Sequence, residues 1–192
     1  MSDVWKADFA PAIALIGTHI GDPAGQLGAD AIEAGAIRRI LEPLEFDCAL
    51  HYDRDVARAH GFADIPCPYT AMMTFTMPAM WQPGQALFDS NARNAQPLKT
   101  ALGADLAARL GLPARYTGYF ATDFAVEFFG VAVVGDRVGR RGNKLVACEP
   151  KETSVGRGAF TSFESELFNQ RGDILALMRS SMFIYEPKGA RP

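Results

Sequence analysis

An uncharged segment, residues 69–81 with the sequence YTAMMTFTMPAMW, constrains the fold more than any other part of the chain. Its apolar residues lie nearly all the way round a helical projection, and a helix of that kind is stable only when it is buried on every side. The segment therefore predicts a buried central helix, for which the rest of the chain must supply the cover. Pro78 removes one hydrogen bond from such a helix and predicts a kink.

The apolar period changes from helical to two after Arg115, which predicts β-strands. In residues 119–129, Asp123 and Glu127 point away from a set of apolar positions, as expected for a half-buried strand. That set is Phe120, Phe124, Val126 and Phe128. Three more strands follow up to Pro187, and the last is apolar on both faces, as an interior strand should be. Helices followed by at least four strands predict an α+β domain, with an antiparallel sheet wrapped around the central helix.

Two amphipathic helices are predicted before the central helix. In residues 30–44, Asp30 and Glu33 have the spacing of a capping box. The apolar positions Ile37, Ile40, Leu41 and Leu44 then share one face. Residues 53–61 predict a shorter helix, capped by Asp53 and ended by Gly61. Residues 82–99 are polar and predict a surface loop, and residues 100–110 predict a small helix.

Length and composition bound the class of protein. The 192 residues suffice for one domain, residues 1–192, in which residues 82–114 form an inserted loop and short helix. The net charge of -3 lacks the basic excess that nucleic acid requires, and no apolar run is long enough to span a bilayer.

The three cysteines, Cys48, Cys67 and Cys148, have neither disulfide-framework nor zinc-site spacing. A reduced, cytoplasmic protein without a metal site is therefore expected.

Residues 46–70, FDCALHYDRDVARAHGFADIPCPYT, combine two histidines with four aspartates and end in two prolines. Together with VEFFGVAVVGDRV and SFESELFNQRGDILA, this stretch resembles the MaoC-like dehydratases of the hot-dog fold, over about residues 16–187. The resemblance is greatest to the amino-terminal, FAS-type dehydratase half of two-domain members, which holds the acyl chain without carrying the catalytic pair.

The resemblance implies an (R)-specific enoyl-CoA hydratase or 3-hydroxyacyl dehydratase, which acts on acyl-CoA or acyl carrier thioesters. It implies no cofactor beyond the coenzyme A of the substrate, and a homodimer or a heterodimer with a related hot-dog subunit. The chain would be either catalytic or the acyl-binding subunit of a heteromeric enzyme. A non-catalytic acyl-CoA-binding module is the alternative, and a hot-dog thioesterase is disfavoured because residues 69–81 contain no carboxylate.

Catalytic residues follow from aligning the family's His-x-Asp pattern on His51 and Asp53. His51 then takes the place of the catalytic histidine, which would act as the base. The catalytic aspartate position falls on Phe46, so Asp47, one residue later, is the candidate partner. A loop histidine packed against the helix is the alternative interpretation of His51.

Substrate contacts are expected at the start of the central helix. Pro68 occupies the place of a glycine whose amide stabilises the developing enolate oxygen, and proline has no such amide. The amide of Tyr69 or Thr70 would replace it. The expected substrate-binding set is Cys67, Tyr69, Thr70, Met73, Arg140 and Arg141. Met73 could instead be core, and the two arginines could meet phosphates of coenzyme A or be a solvated strand end.

Overall fold

The computed structural model of the chain describes residues 3–79, 81–86, 88, 91 and 106–188. Its strands are β1 (Gln26–Leu27), β2 (Gly118–Phe128), β3 (Val138–Glu152), β4 (Gly156–Asn169) and β5 (Ile174–Pro187). Its α-helices are α1 (Ala10–Ala14), α2 (Ala34–Leu41), α3 (Arg54–Ala59) and α4 (Leu106–Arg109). Its 3-10 helices are Asp3–Phe9, Glu42–Leu44, Ala49–His51 and Tyr69–Thr76.

The five strands form one antiparallel sheet in the order β1-β3-β4-β5-β2. The predicted α+β class is therefore confirmed. β5 lies between β4 and β2, which agrees with the interior position predicted from its two apolar faces. β2 ends the sheet and has no strand beyond it in the described part of the chain.

A bulge in β2 divides its predicted apolar face. The register with β5 shifts between Ala121 and Asp123. Even-numbered residues before the shift therefore point to the opposite side of the sheet from even-numbered residues after it. Phe120 pairs with Phe183 on the outer face, whereas Phe124, Val126 and Phe128 lie on the inner face. The prediction that all four share one face is wrong, because a strand's period of two does not survive an inserted residue.

The core lies on the inner face of the sheet and forms two clusters. The first core cluster packs α2 and the central 3-10 helix against one end of the sheet, and includes Ile37, Leu41, Met72, Val138 and Leu167. The second core cluster packs the amino-terminal helices and the end of α4 against the other end, and includes Phe9, Ala12, Leu110, Phe163 and Ile184.

The central helix differs from the helix predicted for residues 69–81. It is a 3-10 helix, Tyr69–Thr76, and only Ala71 and Met72 are buried, whereas Tyr69, Thr70 and Thr74 are exposed. The prediction of burial on every side is therefore wrong for the chain alone. Met77 is extended because the residue before a proline avoids the α region, so Pro78 follows the helix and does not kink it.

The predicted capping box at Asp30 and Glu33 is also absent. α2 begins three residues later than this capping box predicts, and Glu33 is its N-cap without a side-chain bond. The amide of Ile32 instead donates to the carbonyl of Asp136, and the Ile32 carbonyl accepts from Gly135. Pairing with this turn holds the segment extended. Ile37 and Leu41 are buried as predicted, whereas Leu44 is 69% exposed and lies outside the core.

The GDRV and NQRGD motifs are bound to each other around Asp136. One carboxylate oxygen of Asp136 accepts from the Val133 amide at 3.0 Å. The other accepts from the Gln170 amide group at 2.8 Å and from Arg171 at 3.0 Å. The Arg137 amide in turn donates to the Gln170 side-chain oxygen at 2.9 Å. This network joins the turn before β3 to the hairpin between β4 and β5.

The Asp136 network predicts that stability depends on pH. Burial alone would raise the pKa of Asp136, but its three hydrogen-bond donors outweigh burial and hold the pKa below the ordinary value of 3.8. A carboxyl group with a lowered folded pKa stabilises the folded state above its unfolded pKa, and this stabilisation is lost as the pH falls through the folded pKa. We therefore expect the urea midpoint to fall as the pH is lowered below about 4.

Urea unfolding of wild type and Asp136→Asn at a series of pH values measures this effect. The variant should show a shallower decline than wild type. It should not be flat, because hydrogen bonds also lower the pKa values of Asp64 and Asp173. Equal slopes for the two proteins would contradict the assignment to Asp136.

The predicted insertion, residues 82–114, is described only in part. α4 coincides with the end of the small helix predicted for residues 100–110, and residues 100–105 lie outside the described residues. Leu110 and Leu112 after α4 are buried in the second core cluster. This end of the insertion is therefore part of the folded domain.

Candidate active site

Two short helical elements position His51. The 3-10 helix Ala49–His51 leads directly into α3, whose N-cap is Asp53. The Asp53 carboxylate accepts from the amides of Asp55 and Val56, at 2.8 and 3.2 Å. Asp53 is therefore a helix cap, as predicted, and it fixes the direction in which the chain leaves His51.

The imidazole of His51 is tied to the segment that precedes the central helix. Its Nδ1 lies 2.7 Å from the carbonyl oxygen of Pro66. Because a carbonyl oxygen can only accept, Nδ1 carries the hydrogen, and in the neutral ring Nε2 then has the free lone pair. Nε2 is the nitrogen that can take a proton from another molecule.

Pro66 is presented to His51 by a short antiparallel pairing. The Cys67 amide donates to Ala132 at 2.8 Å, and the Val134 amide donates to Ile65 at 2.9 Å. These bonds hold Pro66 opposite Val133, next to the Asp136 turn. The geometry of His51 therefore depends on the same turn that Asp136 stabilises.

An aromatic ring occupies the position where the family pattern has its catalytic aspartate. The rings of Phe46 and His51 lie 5.7 Å apart between centroids, with a 56° angle between their planes. Asp47 is exposed, and it forms no hydrogen bond or ion pair with any residue that the structure describes. Among the described residues, the imidazole therefore contacts a ring and a backbone carbonyl, and no carboxylate is bonded to it.

The start of the central helix presents two free amide groups. Pro68 is the N-cap and has no amide hydrogen, and its carbonyl accepts from Ala71 at 2.9 Å. The amides of Tyr69 and Thr70 make no hydrogen bond to the described residues, and both residues are exposed. These amides begin the helix three residues after Pro66, the residue that His51 contacts. An anionic oxygen placed there would meet two donors at the positive end of the helix.

The expected substrate-binding residues Cys67 and Met73 lie deeper. Cys67 is 1% exposed and packs in the first core cluster. Burial raises the pKa of its thiol to about 12, so the thiol is neutral and unreactive near neutral pH. Met73 is half-buried against the same cluster. Cys67 therefore has a structural position, and Met73 lies at the boundary between core and surface.

An exposed aromatic patch adjoins the helix start. The Tyr69 ring packs 4.9 Å from the Phe128 ring, which links the helix to the end of β2. Phe124 and Phe129 are also largely exposed, at 49% and 58%. We call Tyr69, Phe124, Phe128 and Phe129 the aromatic patch. Exposed aromatic residues beside a sheet edge are typical of interaction surfaces, and β2 is an edge strand of this sheet.

Arg140 and Arg141, expected to act together on a phosphate, point to opposite faces of β3. The register places Arg140 opposite Leu167 on the inner face and Arg141 opposite Glu166 on the outer face. Arg141 forms an ion pair of 2.8 Å with Glu166, and its guanidinium lies over the ring of Phe168. The alternation of side chains along a strand predicts this separation.

Sequence reasoning missed several contacts of the site. His51 contacts the ring of Phe46 and the carbonyl of Pro66, and Tyr69 contacts the ring of Phe128. None of these contacts follows a known motif. The change from aspartate to phenylalanine at position 46 was the available signal. Among the described residues, no helix is long and apolar enough to cross a membrane, and no group of His, Cys, Asp and Glu could hold a metal ion.

Comparison with known proteins identifies the family. The model of the family described as "FAS1-like, dehydratase domain region" matches residues 14–178. A curated relative, the "Probable enoyl-CoA hydratase alpha subunit" of Thermomonospora curvata, is 26% identical over 175 residues. That alignment covers 91% of this chain and 51% of the relative, so the chain spans about half of the relative's length.

Solved structures share the fold. A chain of the ChsH1-ChsH2 complex from Mycobacterium tuberculosis aligns with a TM-score of 0.64 and 21% identity, over 98% of this chain and 100% of that chain. The MaoC-like dehydratase from Rhodospirillum rubrum aligns with a TM-score of 0.52 and 17% identity, over 88% and 93%. The predicted hot-dog fold is confirmed by these matches. The chain therefore belongs to the FAS1-like dehydratase domain region family and has the hot-dog fold.

Proposed function

We propose that the chain is the acyl-thioester-binding subunit of a heteromeric MaoC-type enzyme, which hydrates 2-enoyl-CoA or dehydrates 3-hydroxyacyl-CoA. Membership of the dehydratase family and the name of the curated relative support this reaction class. Two solved structures with the same fold are the ChsH1-ChsH2 and HadBC complexes. These complexes support a heterodimer with a related hot-dog subunit over a homodimer.

The reaction itself limits which chain can catalyse it. Adding water across an enoyl thioester needs a base for the water, an acid for the α-carbon and donors for the enolate oxygen. The amides of Tyr69 and Thr70 are suitable donors, and His51 Nε2 is a suitable base. The contact between Phe46 and His51 carries the proposal, because the ring stands where the second catalytic group would be. The partner subunit would then supply the acid and base pair.

The thioester would lie beside the aromatic patch, with its carbonyl oxygen at the amides of Tyr69 and Thr70. Met73 would contact the acyl chain, since a thioether adapts to flexible ligands. Arg140 or Arg141 would face an anionic part of the thioester, from coenzyme A or from an acyl carrier protein. The open edge of β2 is the side from which the partner would close the site.

Autonomous catalysis by this chain is the second candidate. The hydrogen bond from His51 Nδ1 to Pro66 favours it, because it leaves Nε2 as a base next to the helix start. Asp47 would then have to turn towards the substrate and act as the acid.

Substitution of His51 separates the two candidates. Asparagine can still donate to the Pro66 carbonyl but cannot act as a base, whereas alanine removes both properties. In the complex with the partner subunit, we expect the rate of crotonyl-CoA hydration by His51→Asn to lie within about threefold of wild type. His51→Ala should lose about tenfold in rate, because in the binding subunit only the hydrogen bond to the Pro66 carbonyl matters. The loss of enoyl absorbance measures both.

The isolated chain is the control in the same assay. We expect no hydration from the chain alone, and hydration when the partner purified with it from its native cells is present. A loss of about a hundredfold or more in both His51 variants would identify His51 as the general base and contradict the binding-subunit role. Turnover by the chain alone would also contradict the binding-subunit role.

A further inference from the structure

A polar gap separates the two core clusters on the inner face of the sheet. Val138 belongs to the first cluster and Leu145 to the second. Between them on β3 the inward positions are Arg140 and Gly142, which pair with Leu167 and Ser165. Gly142 has a φ of 92° at a register shift in β3, so the backbone accounts for the glycine. Arg140, in contrast, places a guanidinium on the face that elsewhere packs the core.

The guanidinium of Arg140 is hydrogen-bonded through Nε, and its two terminal nitrogens are not bonded to the described residues. Its Nε donates to the hydroxyl of Ser165 at 2.9 Å, and Ser165 is 3% exposed. Arg140 forms no ion pair with the carboxylates that the structure describes. Arg140 is exposed to solvent overall, and desolvation of the part of the residue that is buried lowers its pKa. The two terminal nitrogens therefore form a fixed fork of the kind that binds carboxylate or phosphate.

The fork opens into a cavity of about 260 Å³ at the carboxyl end of the central helix. Thr76, Met77 and Pro78 form one wall, and Arg109 stands on the rim. Asp22 is the carboxylate residue that lines this cavity, and its Oδ1 accepts from the Ala24 amide at 2.8 Å. Arg140 therefore brings to this cavity a guanidinium that has no ion-pair partner among the carboxylates of the described residues.

We propose that Arg140 binds the terminal oxyanion of the acyl thioester, a carboxylate at the far end of the acyl group or a phosphate of coenzyme A. This inference rests on the proposed function, because it places the thioester at the amino end of the central helix. The eight residues Tyr69–Thr76 span about 14 Å at the rise of a 3-10 helix. A fully extended chain advances about 1.2 Å per bond, so an acyl group of about a dozen carbons would reach from one end to the other.

Binding of saturated thioesters tests the inference without turnover. Dodecanedioyl-CoA and dodecanoyl-CoA differ only by the terminal carboxylate, and coenzyme A and 3′-dephospho-CoA differ only by one phosphate. Isothermal titration should show about tenfold tighter binding, in one of the two pairs, for the member that carries the additional anionic group, the size expected of a hydrogen-bonded charge. The first pair would identify the acyl group as the source of the oxyanion, and the second would identify coenzyme A.

Arg140→Gln should remove the preference, and Arg140→Lys should retain part of it, since lysine keeps the charge without the fork. The lysine variant also serves if the glutamine variant does not fold. Arg179→Gln is the matched control, because Arg179 forms an ion pair with Glu164 on the outer face and should leave the preference unchanged.

Equal affinities within both pairs in the wild-type protein would overturn the inference. So would a preference that survives Arg140→Gln, or no binding of any of the four compounds. Absence of hydration in the partner complex, with the Arg140-dependent preference intact, would count against the proposed function alone.

Discussion

Replacing Asp136 with alanine is expected to lower the free energy of unfolding by about 3 kcal/mol, because it breaks a buried and fully bonded carboxylate site. Asp136 is 6% exposed and accepts from three donors. Without it the Val133 amide loses its acceptor, and Arg171 loses the partner that joins two motifs distant in sequence. Urea unfolding at neutral pH, followed by circular dichroism, measures the change.

Asp47→Ala is the matched control for this experiment. Asp47 is an exposed aspartate without a bonded partner in the described residues, so its removal should change the unfolding free energy by less than about 0.5 kcal/mol. A cost below about 1 kcal/mol for Asp136→Ala would show that water replaces the lost bonds and that the network is not a stabilising element.

Asp136→Ala should also alter the position of His51 in the candidate active site. Val133 lies opposite Pro66, whose carbonyl accepts from His51, so loosening the Asp136 turn frees both. Asp136 is therefore connected to the imidazole of His51 through the pairing of Val133 with Pro66 and the hydrogen bond of Pro66 with His51.

The second large effect is expected at the open edge of the sheet. β2 offers eleven residues of backbone to another strand, with Tyr119 72% exposed and Phe124 49% exposed. Replacing both with lysine should weaken association with the partner subunit by at least about thirtyfold, because buried aromatic residues dominate interface energies and edge lysines oppose strand pairing. Sedimentation velocity of the purified complex over a dilution series measures the dissociation constant.

Leu44→Lys with Val155→Lys is the matched control for the edge variant. Both residues are exposed and apolar, and both lie away from β2, so the added charge is the same while the edge is intact. Unchanged association in the Tyr119 and Phe124 variant would place the partner elsewhere on the surface and would remove the argument that β2 closes the site.

Much of the fold was accessible from local sequence. The Asp53 cap, the ending of α3 at Gly61 and the interior position of β5 were all predicted correctly. Gly61 has a φ of 90°, a conformation that favours glycine, so the residue type alone marks the helix end. Features of this kind depend on a few neighbouring residues, and the chain carries them wherever it folds.

Other features needed the tertiary structure. The capping box at Asp30 has the right spacing, but Ile32 pairs with the Asp136 turn, and that pairing competes with the helix. The bulge after Ala121 moves Phe120 to the outer face, although the alternation in the sequence continues. The central segment is apolar enough for full burial, yet in the described part of the chain only Ala71 and Met72 of the helix are buried.

The candidate site divides in the same way. The family pattern pointed to His51, Asp47 and Pro68, because residue types in a motif can be recognised without coordinates. The direction of the imidazole and the separation of Arg140 from Arg141 became visible only in the folded sheet.

The sequence by itself determined the kinds of element and the family, since these depend on period, turn residues and motif. The tertiary structure alone decided which groups meet, because hydrogen bonds such as those of His51 with Pro66 and Arg140 with Ser165 join residues that only strand register and loop pairing bring within 3 Å.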